Sequence, residues 1–241
     1  MLQLPKVIGH RGAMAYAPEN TLDSFREARR RGATWVEIDI KLTADNVPIV
    51  MHDESLKRTM GIDRPVAKMK RAELPAEVPT FEAAIACFQE QGLGCNVEIK
   101  PCKGREAETG RVTVEALRRW WPASLPAPLL SSFKDESLLA AKAAAPQYAR
   151  ALLVNGDLGE DWAERAKAVG AAGMNVGGKK LTVPGAVAIK RAGYALSIWT
   201  VNDPDEARAF VGMGADCIIT DKPDVILKAL SADSGASSGA A

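Results

Sequence analysis

Eight short runs rich in β-branched and other apolar residues recur along the chain, and a stretch of helical periodicity follows each one. The runs cover residues 7–9, 35–41, 96–100, 129–133, 149–154, 173–176, 195–200 and 217–220. The helical patterns cover 21–31, 81–91, 106–120, 135–144, 162–169, 183–192, 203–213 and 224–230. Eight strands, each with its own helix, is the count for an α/β chain folded as a closed (β/α)8 TIM barrel. An open doubly wound sheet gives the same alternation but concentrates its site at one switch point. Here polar residues follow many different strands, as they do when a barrel gathers its strand ends into one mouth.

Local signals agree with this division. Asn20 or Thr21 marks one helix start and Asn202-Asp203-Pro204 another, while Gly92, Gly170, Gly193 and Gly214 stand where helices should stop. A second short strand, Val47-Pro48-Ile49-Val50-Met51-His52-Asp53, follows strand two. An irregular stretch rich in Pro, Arg and Lys then runs to about Thr80. It reads as a short insertion on the catalytic rim (about 53–80) of a single barrel spanning 1–230. Residues 231–241 are small and polar and are expected to form a flexible tail.

Charge and cysteine use exclude several classes. With 31 basic and 30 acidic side chains, the net charge of +1 offers no electrostatic footing for nucleic acid or for stable association with an anionic membrane. No stretch approaches the ~20 apolar residues of a membrane helix. Cys87, Cys95, Cys102 and Cys217 form no CxxC pair and no zinc spacing, and read as reduced thiols. Met1–Lys6 carries no signal-peptide pattern, so a cytoplasmic protein is expected.

The polar strand ends carry the chemistry. The chain has two histidines: His10 directly after the first run, in Gly9-His10-Arg11-Gly12, and His52 closing the extra strand. Both fall on the C-terminal rim, where imidazole can exchange protons near neutral pH. Glu37 and Asp39 are two apart on one strand and so share a face, as do Glu98 and Lys100 on the next. Three inward carboxylates repel one another unless a cation joins them, and an oxygen-only set suits Mg2+ or Ca2+. The competing reading is a structural salt-bridge cluster with Lys100 and Arg11. Those two cations beside a metal would suit a phosphate. Gly9 and Gly12 flank the His-Arg pair and either let backbone approach a ligand or simply serve a turn. Glu19 and Asn20 either serve the helix cap or reach substrate or metal. Trp199 either packs against the substrate or fills the barrel, and Ser132 and Asn202 are site residues or loop caps.

In order along the chain, the segments Ile8-Gly9-His10-Arg11-Gly12, Ala17-Pro18-Glu19-Asn20-Thr21, Val36–Thr43, Met51-His52-Asp53, Asn96–Pro101, Leu130–Phe133 and Trp199–Asn202 resemble the glycerophosphodiester phosphodiesterase family, in particular its short cytosolic bacterial members. The resemblance runs from residue 8 to about residue 221. It implies a barrel hydrolase that cleaves glycerophosphodiesters, small-molecule substrates of glycerol and lipid metabolism, to sn-glycerol 3-phosphate and an alcohol. It further implies one divalent ion on Glu37, Asp39 and Glu98, and general acid–base work by His10 and His52. Arg11 and Lys100 match positions that hold phosphate, Trp199 one near the substrate, and Glu19 one at the site. The Arg58-Thr59-Met60-Gly61 stretch departs from the Thr-Asn-Gly turn common in the family. A phospholipase D-type relative acting on lysolipids and a catalytically silent phosphate-binding protein are the alternatives.

Overall fold

In the computed structural model, which describes residues 2–232, strand β1 (Val7–Gly9) leads into α1 (Leu22–Arg30) and then β2 (Trp35–Leu42). β3 (Pro48–Val50) turns back antiparallel on the end of β2, with Ile40 opposite Val50 and Leu42 opposite Pro48. A small rim unit follows, made of β4 (Ser55–Leu56), α2 (Lys57–Met60) and β5 (Ile62–Pro65). The alternation then resumes with α3 (Phe81–Gln91), β6 (Gly94–Ile99), α4 (Glu106–Trp120), β7 (Leu129–Ser132) and α5 (Asp135–Ala144). It continues through β8 (Ala149–Val154), α6 (Trp162–Val169), β9 (Gly173–Gly177) and α7 (Val183–Arg191). β10 (Ala195–Trp199), α8 (Pro204–Gly212), β11 (Cys217–Thr220) and α9 (Pro223–Ala232) complete it. Parallel strands follow in the order β1, β11, β10, β9, β8, β7, β6, β2, and the pairing of Gly9 with Val36 closes the ring. The fold is a closed eight-stranded (β/α)8 barrel, not an open sheet.

Strand alternation builds the two cores. Along β2, Val36, Ile38 and Ile40 face outward into a cluster with Phe25, Phe81 and Phe88 of α1 and α3. Full burial of each such side chain contributes roughly 1.5–3 kcal/mol. On the opposite arc Leu152, Met174, Val176, Leu196, Ile198 and Ile218 pack under the later helices in the same way. The alternate residues turn inward. Trp35 plugs the barrel floor with Ile8, Leu129, Ala151, Cys217 and Ile219. It lies so close to β6 that a Cβ on Gly94 would fall 2.3 Å from the indole.

The rim unit has its own small core of Ile49, Met51, Leu56, Val66, Met69, Leu74 and Val78. Its basic residues, legible in the sequence as a positive edge, are partly neutralised: Lys57 pairs with Asp63, Arg58 with Glu19 and Asp53, and Arg64 with Glu73. At the other end α9 takes in Ser231 and Ala232, which the sequence reading assigned to the tail. Residues 233–241, the rest of the expected tail, lie outside the described residues. No helix among the described residues is long and apolar enough to cross a membrane.

Candidate active site

Register brings the acids together. β2 and β6 run parallel with Asp39 beside Glu98 and Glu37 beside Asn96. One ligand atom from each of Glu37, Asp39 and Glu98 lies within 4.8 Å of the other two, and all three residues are buried. Their surroundings drive them apart electrostatically. Burial, reinforced by Asp39 and Glu98, pushes Glu37 well above the usual carboxylate range. Burial and Asp39 likewise raise Glu98 to about 7 against the opposing pull of Lys100. For Asp39 burial is outweighed: Lys100, Arg11, His52 and Asn20 hold it well below the usual range. Asp39 is therefore satisfied by protein groups, while Glu98, with Lys100 on one oxygen, and Glu37, with the backbone N–H of Arg11, are only partly compensated. Oε1 of Glu37 is buried with no hydrogen-bond partner among the described residues. Three clustered carboxylates and an unpartnered oxygen, with no sulfur or imidazole among them, fit a hard divalent cation.

Backbone pairing extended past the strand ends sets the remaining groups. Lys100 N donates to Ile40 O at 3.0 Å, continuing β6 along β2. The Lys100 ammonium then donates to Glu98 Oε1 (2.9 Å) and stands 3.3 Å from Asp39 Oδ1. Burial works against its charge, but Asp39 and Glu98 outweigh this and keep its pKa above the ordinary lysine value. Met51 N donates to Asp39 O at 2.9 Å, carrying the β3 pairing one residue further and setting His52 at the cluster. His10 N donates to Thr220 O at 2.7 Å, so β1 runs beside β11 to its last residue.

Each histidine is backed by an aspartate. His10 Nδ1 lies 2.7 Å from Asp221 Oδ1, and His52 Nδ1 lies 2.6 Å from Asp53 Oδ1. Burial raises Asp221, but hydrogen bonds from His10 and Asn202 bring it below its ordinary value. Arg58, then His52, hold Asp53 down to about 2. Both aspartates are thus ionised near neutral pH and can only accept, so each Nδ1 carries the proton and Nε2 is left for the cavity. For His52, burial favours the neutral ring and lowers its pKa.

Arg11 adopts a left-handed backbone conformation (φ 49°). Its N donates to Glu37 Oε2 at 3.1 Å, and its carbonyl accepts from Ser24 Oγ at 2.8 Å and Asn20 N at 3.0 Å. Surroundings that over-determine a residue in this way sustain such strain. The guanidinium reaches Glu19 at 2.8 Å and lies 3.4 Å from Asp39. Gly9 and Gly12 both serve this turn, one of the two uses that the sequence left open. A Cβ on Gly9 would lie 2.3 Å from Gly12 O, and one on Gly12, which has φ +90°, 2.3 Å from Ser24 Oγ.

Glu19 stands apart from the mouth cavity, with its oxygens bonded to Arg11 and, at 2.7 Å, to Arg58. Direct contact between Glu19 and a ligand there does not follow from this placement; it acts on the site through Arg11. Thr21 caps α1, which frees Asn20 to donate to Asp39 Oδ2 at 2.8 Å. Ser132 is a loop staple, donating to Ile99 O at 2.6 Å, and Asn202 holds Asp221.

Sequence reasoning brought together His10, His52, Glu37, Glu98, Arg11, Lys100 and Trp199, which all line one cavity of about 310 Å3 above the buried Asp39. It gave no role to Asp221, Arg58, Asn96 or Asn175. Trp199 meets Phe133 edge-on with ring centroids 5.6 Å apart, and Lys100 sits 5.9 Å from the Phe133 ring centre. A wider groove of about 1030 Å3 lies beyond the Glu19–Arg58 pair, between α1 and the rim unit, and contains none of the histidines or the three clustered carboxylates.

A closed barrel with clustered carboxylates, two aspartate-backed histidines and two cations at its mouth has the makings of a phosphate-ester hydrolase. Comparison with known proteins bears this out. The model of the glycerophosphoryl diester phosphodiesterase family matches residues 10–225, and the chain belongs to that family of hydrolases. A solved phosphodiesterase of Oleispira antarctica, in complex with the product sn-glycerol-3-phosphate, superposes with a TM-score of 0.91 at 37% identity, covering 95% of this chain and 97% of that one. A glycerophosphodiester phosphodiesterase of Caldanaerobacter subterraneus is 27% identical over 235 residues, 92% of this chain and 96% of its own. Glycerophosphodiester phosphodiesterase 1 of Mus musculus is 54% identical over a shorter 109 residues, 39% of this chain and 33% of that protein.

Proposed function

We propose that the chain hydrolyses glycerophosphodiesters to sn-glycerol 3-phosphate and an alcohol, using Mg2+ or Ca2+ held by Glu37, Asp39 and Glu98 and proton transfer by His10 and His52. The observation that carries this reading is the pair of aspartates at 2.7 and 2.6 Å from the two Nδ1 atoms, which fix both rings with Nε2 toward the cavity. When bound, the cation supplies a Lewis acid that takes up negative charge on the diester. Arg11 and Lys100 orient the phosphoryl oxygens and stabilise charge that builds on them. One histidine removes the proton of the attacking oxygen as its bond to phosphorus forms. The other, starting as the imidazolium with a second proton on Nε2, gives that proton to the departing alkoxide as its bond to phosphorus breaks. Four free, buried cysteines support a cytoplasmic setting.

Phosphorus NMR of glycerophosphocholine after incubation with the protein and Mg2+ tests the regiochemistry. Glycerol 3-phosphate is the expected product. Phosphocholine as the sole product would mean that the other ester bond breaks, against this reading.

A further inference from the structure

The charged lining of the mouth cavity comes from one arc of the barrel, the ends of β1, β2, β3 and β6. The other arc, from β7 to β11, contributes Phe133, Leu153, Asn155, Asn175, Trp199 and Ile219, none of them charged. That wall is neutral but not inert. Asn175 is 1% exposed, and neither its amide oxygen nor its amide nitrogen has a hydrogen-bond partner among the described residues. Trp199 Nε1 is in the same state, and so is Oδ1 of Asn96, 1% exposed, on the adjoining floor. Buried polar groups are rarely left unpaired, because desolvation without a partner is unfavourable. At the cavity wall these atoms are available to pair with something polar that enters it.

We propose that Asn175, with Trp199 Nε1 and Asn96 Oδ1, forms a subsite that reads the hydroxyl groups of the glycerol half of the substrate, leaving the head group at the open mouth. This rests on the phosphodiester reading above and adds which part of the substrate is recognised. An asparagine amide both donates and accepts, an indole N–H only donates, and an amide oxygen only accepts, which together complement hydroxyls. Phe133, Leu153 and Ile219 offer carbon surface to the glycerol backbone. None of the residues that this arc contributes to the cavity lining is a carboxylate that would draw a cationic head group inward, Asp221 being held by His10 and Asn202. The cavity, about 310 Å3, suits glycerol phosphate alone better than a whole diester.

Calorimetric titration of the full-length protein in excess Mg2+ tests this, using sn-glycerol 3-phosphate and propyl phosphate, which lacks both hydroxyls. Wild type, Asn175→Leu and Asn175→Ala are compared, with turnover of glycerophosphocholine measured alongside; the alanine variant serves if leucine disturbs folding. Wild type is expected to bind glycerol 3-phosphate about tenfold or more tightly than propyl phosphate, since a site built for hydroxyls rejects the analogue without them. The variants should lose most of that preference while binding propyl phosphate as wild type does. Equal affinity of wild type for both ligands, an undiminished preference in a folded variant, or equal losses for both ligands would overturn the subsite. Should the preference appear and depend on Asn175 while no glycerophosphodiester is turned over, the hydrolytic reading fails and the subsite stands.

Discussion

Replacing Asp221 with asparagine removes one charge and leaves the shape of the side chain almost unchanged. In the folded protein Asp221 Oδ1 accepts a hydrogen bond from His10 Nδ1 at 2.7 Å, and Oδ2 accepts from Asn202 Nδ2 at 2.6 Å. Both His10 and Asp221 are mostly buried, at 15% and 18% side-chain exposure, so solvent screens the pair only in part. A hydrogen bond to a charged group in such a place contributes roughly 1.5–3 kcal/mol, which translates into about ten- to a hundredfold in rate if the bond is needed in the transition state. The amide can also present its NH2 to Nδ1 and reverse the tautomer, which turns Nε2 from acceptor to donor. Asp221→Asn should therefore lower kcat for glycerophosphocholine by about ten- to a hundredfold, with His10→Ala lower by ~10²–10⁴-fold. Because the two act as one unit, the double variant should be no worse than His10→Ala alone. Initial rates of the four proteins, with circular dichroism as a check on folding, complete the cycle. Independent, multiplicative losses would refute the coupling, as would a folded Asp221→Asn protein at wild-type rate.

Metal binding should depend on pH. Glu98, raised to about 7 from 4.5, holds a proton in the metal-free folded state that the unfolded chain has already released between those values. Metal-free stability from this group consequently falls as pH rises through that window, and cation binding, which displaces the proton, gains. Affinity for Mg2+ should drop by at least about tenfold per pH unit below ~7, with the raised Glu37 adding to the loss, and a calorimetric series showing flat affinity would contradict this. Arg58→Gln severs the ties to Glu19 and Asp53 but removes a half-exposed side chain, so thermal unfolding should register a loss under ~1 kcal/mol. Its kcat should nonetheless fall several-fold, since Asp53 holds His52 and Glu19 holds Arg11; unchanged turnover would argue against that linkage. Gly94→Ala, which forces a Cβ against Trp35 in the barrel floor, should destabilise by ~1–3 kcal/mol in denaturant unfolding.

The barrel was legible because alternation and spacing are local properties. Glu37 and Asp39 on one strand, and Glu98 and Lys100 on the next, needed only the two-residue period of a strand to be placed together. His10 and Asp221 are 211 positions apart, and nothing local joins them. A signal was present all the same: closing the barrel pairs β1 with β11, with Gly9 beside Thr220, so the next residues of the two strands must be neighbours. The Asp53–Arg58–Glu19 chain was hidden for another reason. Composition shows a basic rim, but which acid meets which base depends on how the small rim core folds, and that short, irregular segment has no clear period. Gly9 and Gly12 stayed ambiguous because small size serves close packing and ligand approach alike. Only the positions of Ser24 and Gly12 O decide between them.

The most direct test of the central claim is release of glycerol 3-phosphate from glycerophosphocholine, followed through a coupled dehydrogenase, in Mg2+ or Ca2+, after EDTA, and with Glu98→Gln. Turnover in metal that EDTA abolishes, added metal restores, and Glu98→Gln largely removes is the predicted result. Full activity in EDTA, or in the folded Glu98→Gln protein, would contradict a divalent cation on Glu37, Asp39 and Glu98 as the basis of the reaction.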